Sequence, residues 1–352
     1  MAGPPQPDPG PLRDGEVLIE MIQASPERPL ARPAPPHTRP PRPPSTLVPR
    51  PREPGDSIPR PTGPQAPINP SDINVVEGRY PLAPPLPAVP GNEGVGRVVA
   101  SASPALAAGD RVVPLRPGLG AWRQSLVADA SGLVRVRPGV PDAAAATLSV
   151  NPPTALHLLR DFVELRPGDV VVQNAANSGV GRAVIEVARA LGVATVNVVR
   201  MRPGYEELCA ELAALGADEV TTEEQLPDVL AGMRRPRLAL NAVGGRSAAS
   251  LARGLEPGGT LVTYGGMSRE PVSLPTGLLI FRDLRARGFW LSGPGVDEPR
   301  RRAVLDELQG MAERGLLAPA TEAYGFGDWR DAVARAQEPR RAGKVVLHFG
   351  AD

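Results

Sequence analysis

The residues best suited to chemistry begin with Ala175-Ala-Asn-Ser-Gly-Val-Gly181. This segment follows the apolar run Asp169-Val-Val-Val-Gln-Asn174 and leads into the apolar-periodic stretch Val180 to Leu191. Strand, small-residue turn and helix in that order bring a backbone close to a pyrophosphate, whose charge is met by the amides of the helix N-terminus. Against the pattern G-x-G-x-x-G the three positions read Ala176, Ser178 and Gly181, so the context carries the match more than the glycines do. The next apolar run, Ala194-Thr-Val-Asn-Val-Val199, ends at Arg200-Met-Arg202, where an NAD site would hold an acidic residue for the ribose hydroxyl. Guanidinium groups there would pair with a 2′-phosphate, each charge-assisted bond contributing roughly 1.5–3 kcal/mol, which predicts NADPH over NADH. The competing reading is two solvated arginines at a strand end.

Hydride chemistry also needs a proton, and the chain offers few donors. One cysteine, Cys209, excludes a disulfide framework and a Cys-rich zinc site, and the three histidines, His37, His157 and His348, are far apart and lack a partner motif. Pro90-Gly-Asn-Glu-Gly94 resembles the Gly-His-Glu turn of zinc alcohol dehydrogenases, with Asn92 in the place of the metal-binding His. No metal is expected, so charge must be stabilised by hydrogen bonds and the proton must come from a side chain. Among four tyrosines Tyr80 is the best placed. Tyr264, beside Gly265 and Gly266, reads as a cofactor contact; Tyr205 and Tyr324 are peripheral. On the residues alone Tyr80 is either the acid or an aromatic plug in its loop.

The 352-residue length suggests about two domains at roughly 150 residues each. A formal charge of +1 gives no field that would favour nucleic acid or an anionic membrane. No apolar run reaches the ~18 residues that suggest a membrane span. Met1 to Gln23 mixes acids with prolines, and no targeting signal is read there. The 45 prolines are densest from Ser25 to Gln65, where apolar periodicity is absent. P-x-x-P spacings such as Pro33 to Pro36 would suit an aromatic groove, but in so dense a tract they arise by chance, and a disordered insert is expected, with order resuming at Ala66. Glu16 to Ile22 reads as a strand, and Ala66 to Asn74 as a turn-rich segment leading to Tyr80. Short antiparallel strands are expected between Gly91 and Val136. From Pro152 strands alternate with helices, the pattern of a parallel, doubly wound sheet. Its strands are expected at Asp169–Asn174, Ala194–Val199, Leu238–Ala242, Thr260–Tyr264 and Gly288–Leu291, with helices at Glu206–Leu215 and Ser247–Leu255 between them. A helix from Pro299 to Arg314 and a closing strand, Lys344 to His348, return to the first domain.

Taken together, Ala66-Pro-Ile-Asn-Pro-Ser-Asp-Ile-Asn74, Gly78-Arg-Tyr80, Gly91-Asn-Glu-Gly94, Gly118-Leu-Gly-Ala-Trp122, Val150-Asn-Pro152, Gln173 to Gly181, Asn197-Val-Val-Arg200, Leu261 to Met267 and Gly288-Phe-Trp-Leu-Ser292 resemble one family. It is the mitochondrial trans-2-enoyl-CoA reductases, the enoyl-acyl-carrier-protein reductases of mitochondrial fatty acid synthesis, in the zinc-free branch of the medium-chain dehydrogenases/reductases. The resemblance runs almost continuously from Ala66 to Phe349. It implies an α/β fold: a Rossmann doubly wound sheet over 152–292 that binds NADPH, and a GroES-like β-rich catalytic domain from 1–151 and 293–352.

By the same resemblance Tyr80 is the catalytic acid. Asn151, Asn177, Ser178, Gly179, Val180, Arg200, Arg202, Tyr264, Gly265, Gly266, Met267, Phe289, Trp290, Leu291, Ser292 and Lys344 bind NADPH. The implied reaction transfers hydride to C3 of a trans-2-enoyl thioester, carried on acyl carrier protein or CoA, and protonates C2. A homodimer and a mitochondrial location are implied in the same way. The family has further N-terminal strands and a presequence before the segment matching Glu16 to Ala24, so an incomplete first domain is an expectation here. Joining Ala24 to Ala66 continues the family pattern, which makes 25–65 an insertion. Closing such a loop costs about 3 kcal/mol plus a constant, so length alone does not unfold the domain. A splice or gene-model artefact or an isoform insert is expected. The rivals are a zinc-free quinone or enone reductase, and a non-enzymatic NADPH-binding module.

Overall fold

The computed structural model describes residues 10–21, 65–339, 341 and 343–349. The first stretch contributes β1 (Glu16–Glu20), β2 (Gln65–Pro67), α1 (Pro70–Val76), β3 (Gly96–Ser101), β4 (Arg111–Pro114), β5 (Ser125–Asp129), β6 (Leu133–Arg135), α2 (Asp142–Ala146) and α3 (Asn151–Arg160). Alternation of type explains the strands: in β1, Val17 and Ile19 are buried while their neighbours are half-exposed. All of these strands except β2 form an antiparallel five-stranded sheet in the order β5-β1-β3-β4-β6, as the Gly- and Pro-punctuated runs predict.

A second sheet has six strands. It is built from β7 (Val170–Gln173), α4 (Gly179–Leu191), β8 (Ala194–Val198), α5 (Tyr205–Leu215), β9 (Glu219–Thr221), α6 (Leu226–Ala231), β10 (Leu238–Asn241), α7 (Gly245–Gly254), β11 (Thr260–Thr263), α8 (Thr276–Arg282) and β12 (Arg285–Gly288). Every pairing is parallel and the order is β12-β11-β10-β7-β8-β9. All four residues of β7 are buried, because helices cover both faces of such a sheet and a central strand must be apolar throughout. The order places a topological switch point between β7 and β10.

The chain returns through α9 (Glu298–Glu313), β13 (Thr321–Gly325), α10 (Trp329–Gln337) and β14 (Lys344–His348). The closing strand pairs with the beginning: β14 lies antiparallel to β2, with Leu347 opposite Ala66. Late and early segments thereby share one three-stranded sheet, β13-β14-β2. No helix among the described residues is long and apolar enough to cross a membrane.

Several expectations are corrected. The turn-rich reading of Ala66 to Asn74 gives way to α1, whose start is set by Asn69 at the N-cap, Pro70 in the first turn and Asp72, whose carboxylate accepts from the Asn69 backbone N–H at 2.7 Å. The strand expected at Gly288–Leu291 lies earlier, at Arg285–Gly288. It is an edge strand whose four residues are all exposed, so its Arg-Ala-Arg-Gly sequence has no apolar pattern to find. The insertion expected over 25–65 lies outside the described residues except for Gln65, which is fully buried in β2 and pairs with His348.

Candidate active site

At the switch point the strand ends are stitched by uncharged side chains. Asn174, just past β7, donates through Nδ2 to Asn241 Oδ1 at 2.8 Å, and its own Oδ1 accepts from the Ala242 backbone at 2.7 Å. Asn241 accepts from the Gly244 N–H at 3.0 Å and donates to Thr263 Oγ1 at 3.0 Å. The ends of β7, β10 and β11 are thus fixed relative to one another. Sequence reasoning passed over both asparagines, although an Asn closing an apolar strand was a visible signal.

The turn between β7 and α4 is tight. Ala175 has a φ of 48°, and Ser178 caps α4, accepting from the Gly181 N–H at 3.1 Å. Gly181 has no room for a side chain: a Cβ would lie 2.5 Å from the Ala176 carbonyl oxygen. At Gly179 a Cβ would lie 2.6 Å from Asn151 Nδ2. The structure therefore brings Asn151, at the start of α3, onto the first turn of α4 beside Ser178, Gly179 and Val180. Asn177 precedes them in the same turn. Tyr264 follows β11 with its hydroxyl facing Ser178; burial holds that phenol well above its ordinary range and so neutral. Gly265 packs on Ala242, Gly266 is open on its Cβ side, and the Met267 N–H donates to the Ala242 carbonyl at 2.9 Å. Arg200, exposed, and Arg202, half-buried, stand just beyond β8. A dinucleotide phosphate fits this arrangement: the N-terminus of α4 at a tight turn of small residues, and two guanidinium groups just beyond the neighbouring strand.

The opposite wall carries Tyr80, which follows α1 through Gly78, at a φ of 67°. Trp290 reaches it from the parallel-sheet lobe: its indole N–H donates to the Tyr80 hydroxyl oxygen at 2.7 Å, with ring centroids 5.9 Å apart and edge to face. The neighbouring Phe289 is held by its N–H to the Thr263 carbonyl at 3.0 Å and by its ring against His157 and Phe162. Arg301 binds the Leu291 carbonyl at 2.6 Å, and Ser292 is half-buried. An indole only donates, so the Tyr80 oxygen accepts and its own proton remains available for another acceptor.

The start of α1 takes part in a buried ionic cluster that residue spacing did not reveal. Asn92 donates to Asp72 Oδ1 through both its backbone N–H (2.9 Å) and Nδ2 (2.7 Å), and its own Oδ1 accepts from the Gly118 N–H at 3.0 Å. The residue in the place of the metal-binding His is therefore a structural tie with both ends engaged. Asn69 donates through Nδ2 to Glu93 Oε1 at 2.7 Å, and its Oδ1 accepts from Lys344 Nζ. Lys344 lies 3.9 Å from Glu93. Burial pushes Glu93 up to about 7 against the opposing pull of Lys344 and Asn69. It also raises Asp72 and lowers Lys344. Lys344 is the sole lysine of the sequence, a compositional signal that could have marked it.

Comparison with known proteins agrees with this geometry. Residues 65–138 match the alcohol dehydrogenase GroES-like domain, and residues 179–309 match the zinc-binding dehydrogenase domain. The human mitochondrial enoyl-[acyl-carrier-protein] reductase is 48% identical over 292 residues, covering 80% of this chain and 78% of that protein. A mutant form of the enoyl thioester reductase of Candida tropicalis superposes with a TM-score of 0.79 at 27% identity, covering 98% of this chain and 93% of that one. A Pseudomonas syringae quinone oxidoreductase gives 0.71, also at 27% identity, over 84% of this chain and 94% of its own. The chain belongs to the mitochondrial enoyl-[acyl-carrier-protein] reductase family, built on the medium-chain dehydrogenase/reductase fold.

Proposed function

We infer that this protein reduces trans-2-enoyl thioesters to saturated acyl thioesters with NADPH, as an enzyme of mitochondrial fatty acid synthesis. Relatives with 45–51% identity across animals and a plant carry the enoyl-[acyl-carrier-protein] reductase name and are mitochondrial. A related 2-enoyl thioester reductase has been solved with NADP and crotonyl-CoA.

NADPH supplies the hydride that reaches C3 of the enoyl thioester. The protein's own task is to position the two reactants, exclude water and protonate C2. We assign the last step to Tyr80. Its supporting observation is the Trp290 hydrogen bond at 2.7 Å, which occupies an oxygen lone pair, leaves the phenol proton to the substrate, and stabilises the charge that grows on oxygen as the proton leaves. We assign the binding of NADPH to Asn151, the turn Asn177 to Val180, Arg200 with Arg202, Tyr264 to Met267, Phe289 to Ser292 and Lys344. Residues 152–292 are proposed as the cofactor lobe, and 1–151 with 293–352 as the catalytic lobe.

A homodimer is proposed through β12. This edge strand is fully exposed, and α8 beside it presents Ile280 at 66% and Phe281 at 83% exposure, a combination that a second copy would cover. Sedimentation of the purified chain tests this, a monomer at micromolar concentration rejecting it. For the reaction, product analysis decides: butyryl-CoA formed from crotonyl-CoA and NADPH is expected, and unreacted crotonyl-CoA rejects the reading.

A further inference from the structure

Glu93 is fully buried, and two segments assigned above to NADPH lie against its carboxyl. Lys344 Nζ, from β14, is 3.9 Å from Oε1, and the backbone N–H of Val150, one residue before Asn151, faces the same group. Asn69 Nδ2 donates to Oε1 at 2.7 Å, and Oε2 is a buried oxygen without a hydrogen-bond partner among the described residues. From α1, Asp72 brings a second carboxylate, saturated by the Asn69 N–H and by both nitrogens of Asn92. Arg341 is the further cation whose charge reaches Lys344. Two carboxyl groups therefore share one buried ammonium. Fully ionised, the trio is net negative and leaves one desolvated charge uncompensated; with Glu93 protonated, Asp72 and Lys344 balance.

We propose that Glu93 is a positioning residue: as a neutral carboxylic acid it holds Lys344 and the Val150–Asn151 turn in the geometry that takes NADPH, and its ionisation weakens cofactor binding. The inference rests on the assignment of Lys344 to the cofactor. Ionised Glu93 adds negative charge beside an anionic ligand and draws the ammonium toward itself. Burial pushes the Glu93 carboxyl up to about 7, so the change falls near neutrality.

The test is NADPH titration, by fluorescence, of the full chain and of Glu93→Gln, Glu93→Ala and Lys344→Met from about pH 6 to 8.5. Each is judged on protein that melts cooperatively. The 2′-phosphate itself titrates near pH 6, and comparing wild type with Glu93→Gln at each pH cancels that effect. Gln is the isostere of the neutral acid. It is expected to bind within about twofold of wild type at pH 6 and to outbind it by roughly five- to tenfold at pH 8.5, tenfold being one pKa unit of coupling. Glu93→Ala should be weak throughout. A wild-type to Gln ratio that stays constant with pH, or a Gln variant as weak as Ala at pH 6, would overturn the inference while Lys344→Met still loses binding. Undiminished NADPH binding by Lys344→Met would instead reject the assignment of Lys344, and the inference with it.

Discussion

The two walls of the cleft recognise by different chemistry. The wall on the parallel sheet is uncharged at its base: Asn174, Asn241, Ser178 and Thr263 fix the strand ends, and Gly179 and Gly181 let Asn151 and the Ala176 carbonyl pack against the first turn of α4. The wall from the antiparallel lobe buries Asp72 and Glu93 beside Lys344 and carries Tyr80 beyond the end of α1. Fixed amides and carboxamides do not titrate near neutrality, so the first wall's own charge state stays constant across that range. The second wall carries the proposed proton donor, and burial brings the ionisation of its Glu93 up to about 7.

Breaking the second wall at its tip should have the largest effect. Tyr80→Phe is expected to lower kcat by roughly 10²–10⁴ while NADPH binding stays near wild type, as removal of a positioned acid does. Steady-state kinetics beside a cofactor titration check this, and unchanged turnover would remove the role. Breaking the first wall at its charged rim is expected to act on affinity alone. Replacing Arg200 and Arg202 together by Ala should weaken NADPH by about 10–100-fold, with NADH little affected, since a charge-assisted bond contributes roughly 1.5–3 kcal/mol. Equal losses for both cofactors would show that neither guanidinium meets a 2′-phosphate.

The walls meet at Tyr80 and Trp290. Trp290→Phe keeps an aromatic ring and deletes one hydrogen bond, so kcat on crotonyl-CoA should fall by about 2–10-fold, the worth of ~0.5–1.5 kcal/mol, in steady-state kinetics. The smallest effect concerns stability. The Glu93 acid is stronger in the unfolded chain, at 4.5, than in the native one, at about 7. The native state therefore holds the proton more tightly. This contribution is complete below 4.5 and is lost as pH rises through about 7. Thermal melts should show Glu93→Gln losing less stability than wild type between pH 5 and 8, by about a few degrees in Tm.

The two walls also differed in how far the sequence disclosed them. The cofactor turn was legible because its constraint is local: a few consecutive positions must be small, and they sit between an apolar strand and a periodic helix. The parallel, doubly wound character of the sheet was legible in the same alternation, though neither its strand order nor the short β9 was. The ionic wall left no such trace, since Asn69 and Lys344, hydrogen-bonded in the fold, stand 275 positions apart. Family resemblance supplied Lys344, and nothing supplied Asp72 or Glu93 as its partners. Trp290 was assigned to the cofactor, where the structure brings its indole onto Tyr80. Phe289-Trp-Leu291 imitates a strand, whereas the true edge strand, Arg285–Gly288, is exposed and polar. At α1, proline and asparagine suggested a turn, and the same residues prove to be a helix start.

Joint reduction of an enoyl thioester with NADPH by these walls can be checked by comparing kcat/KM for crotonyl-CoA and for a simple quinone, with NADPH as the reductant and the full chain as the enzyme. The thioester is expected to be the better substrate and to yield butyryl-CoA in step with NADPH consumed. Quinone turnover faster by orders of magnitude would contradict that expectation.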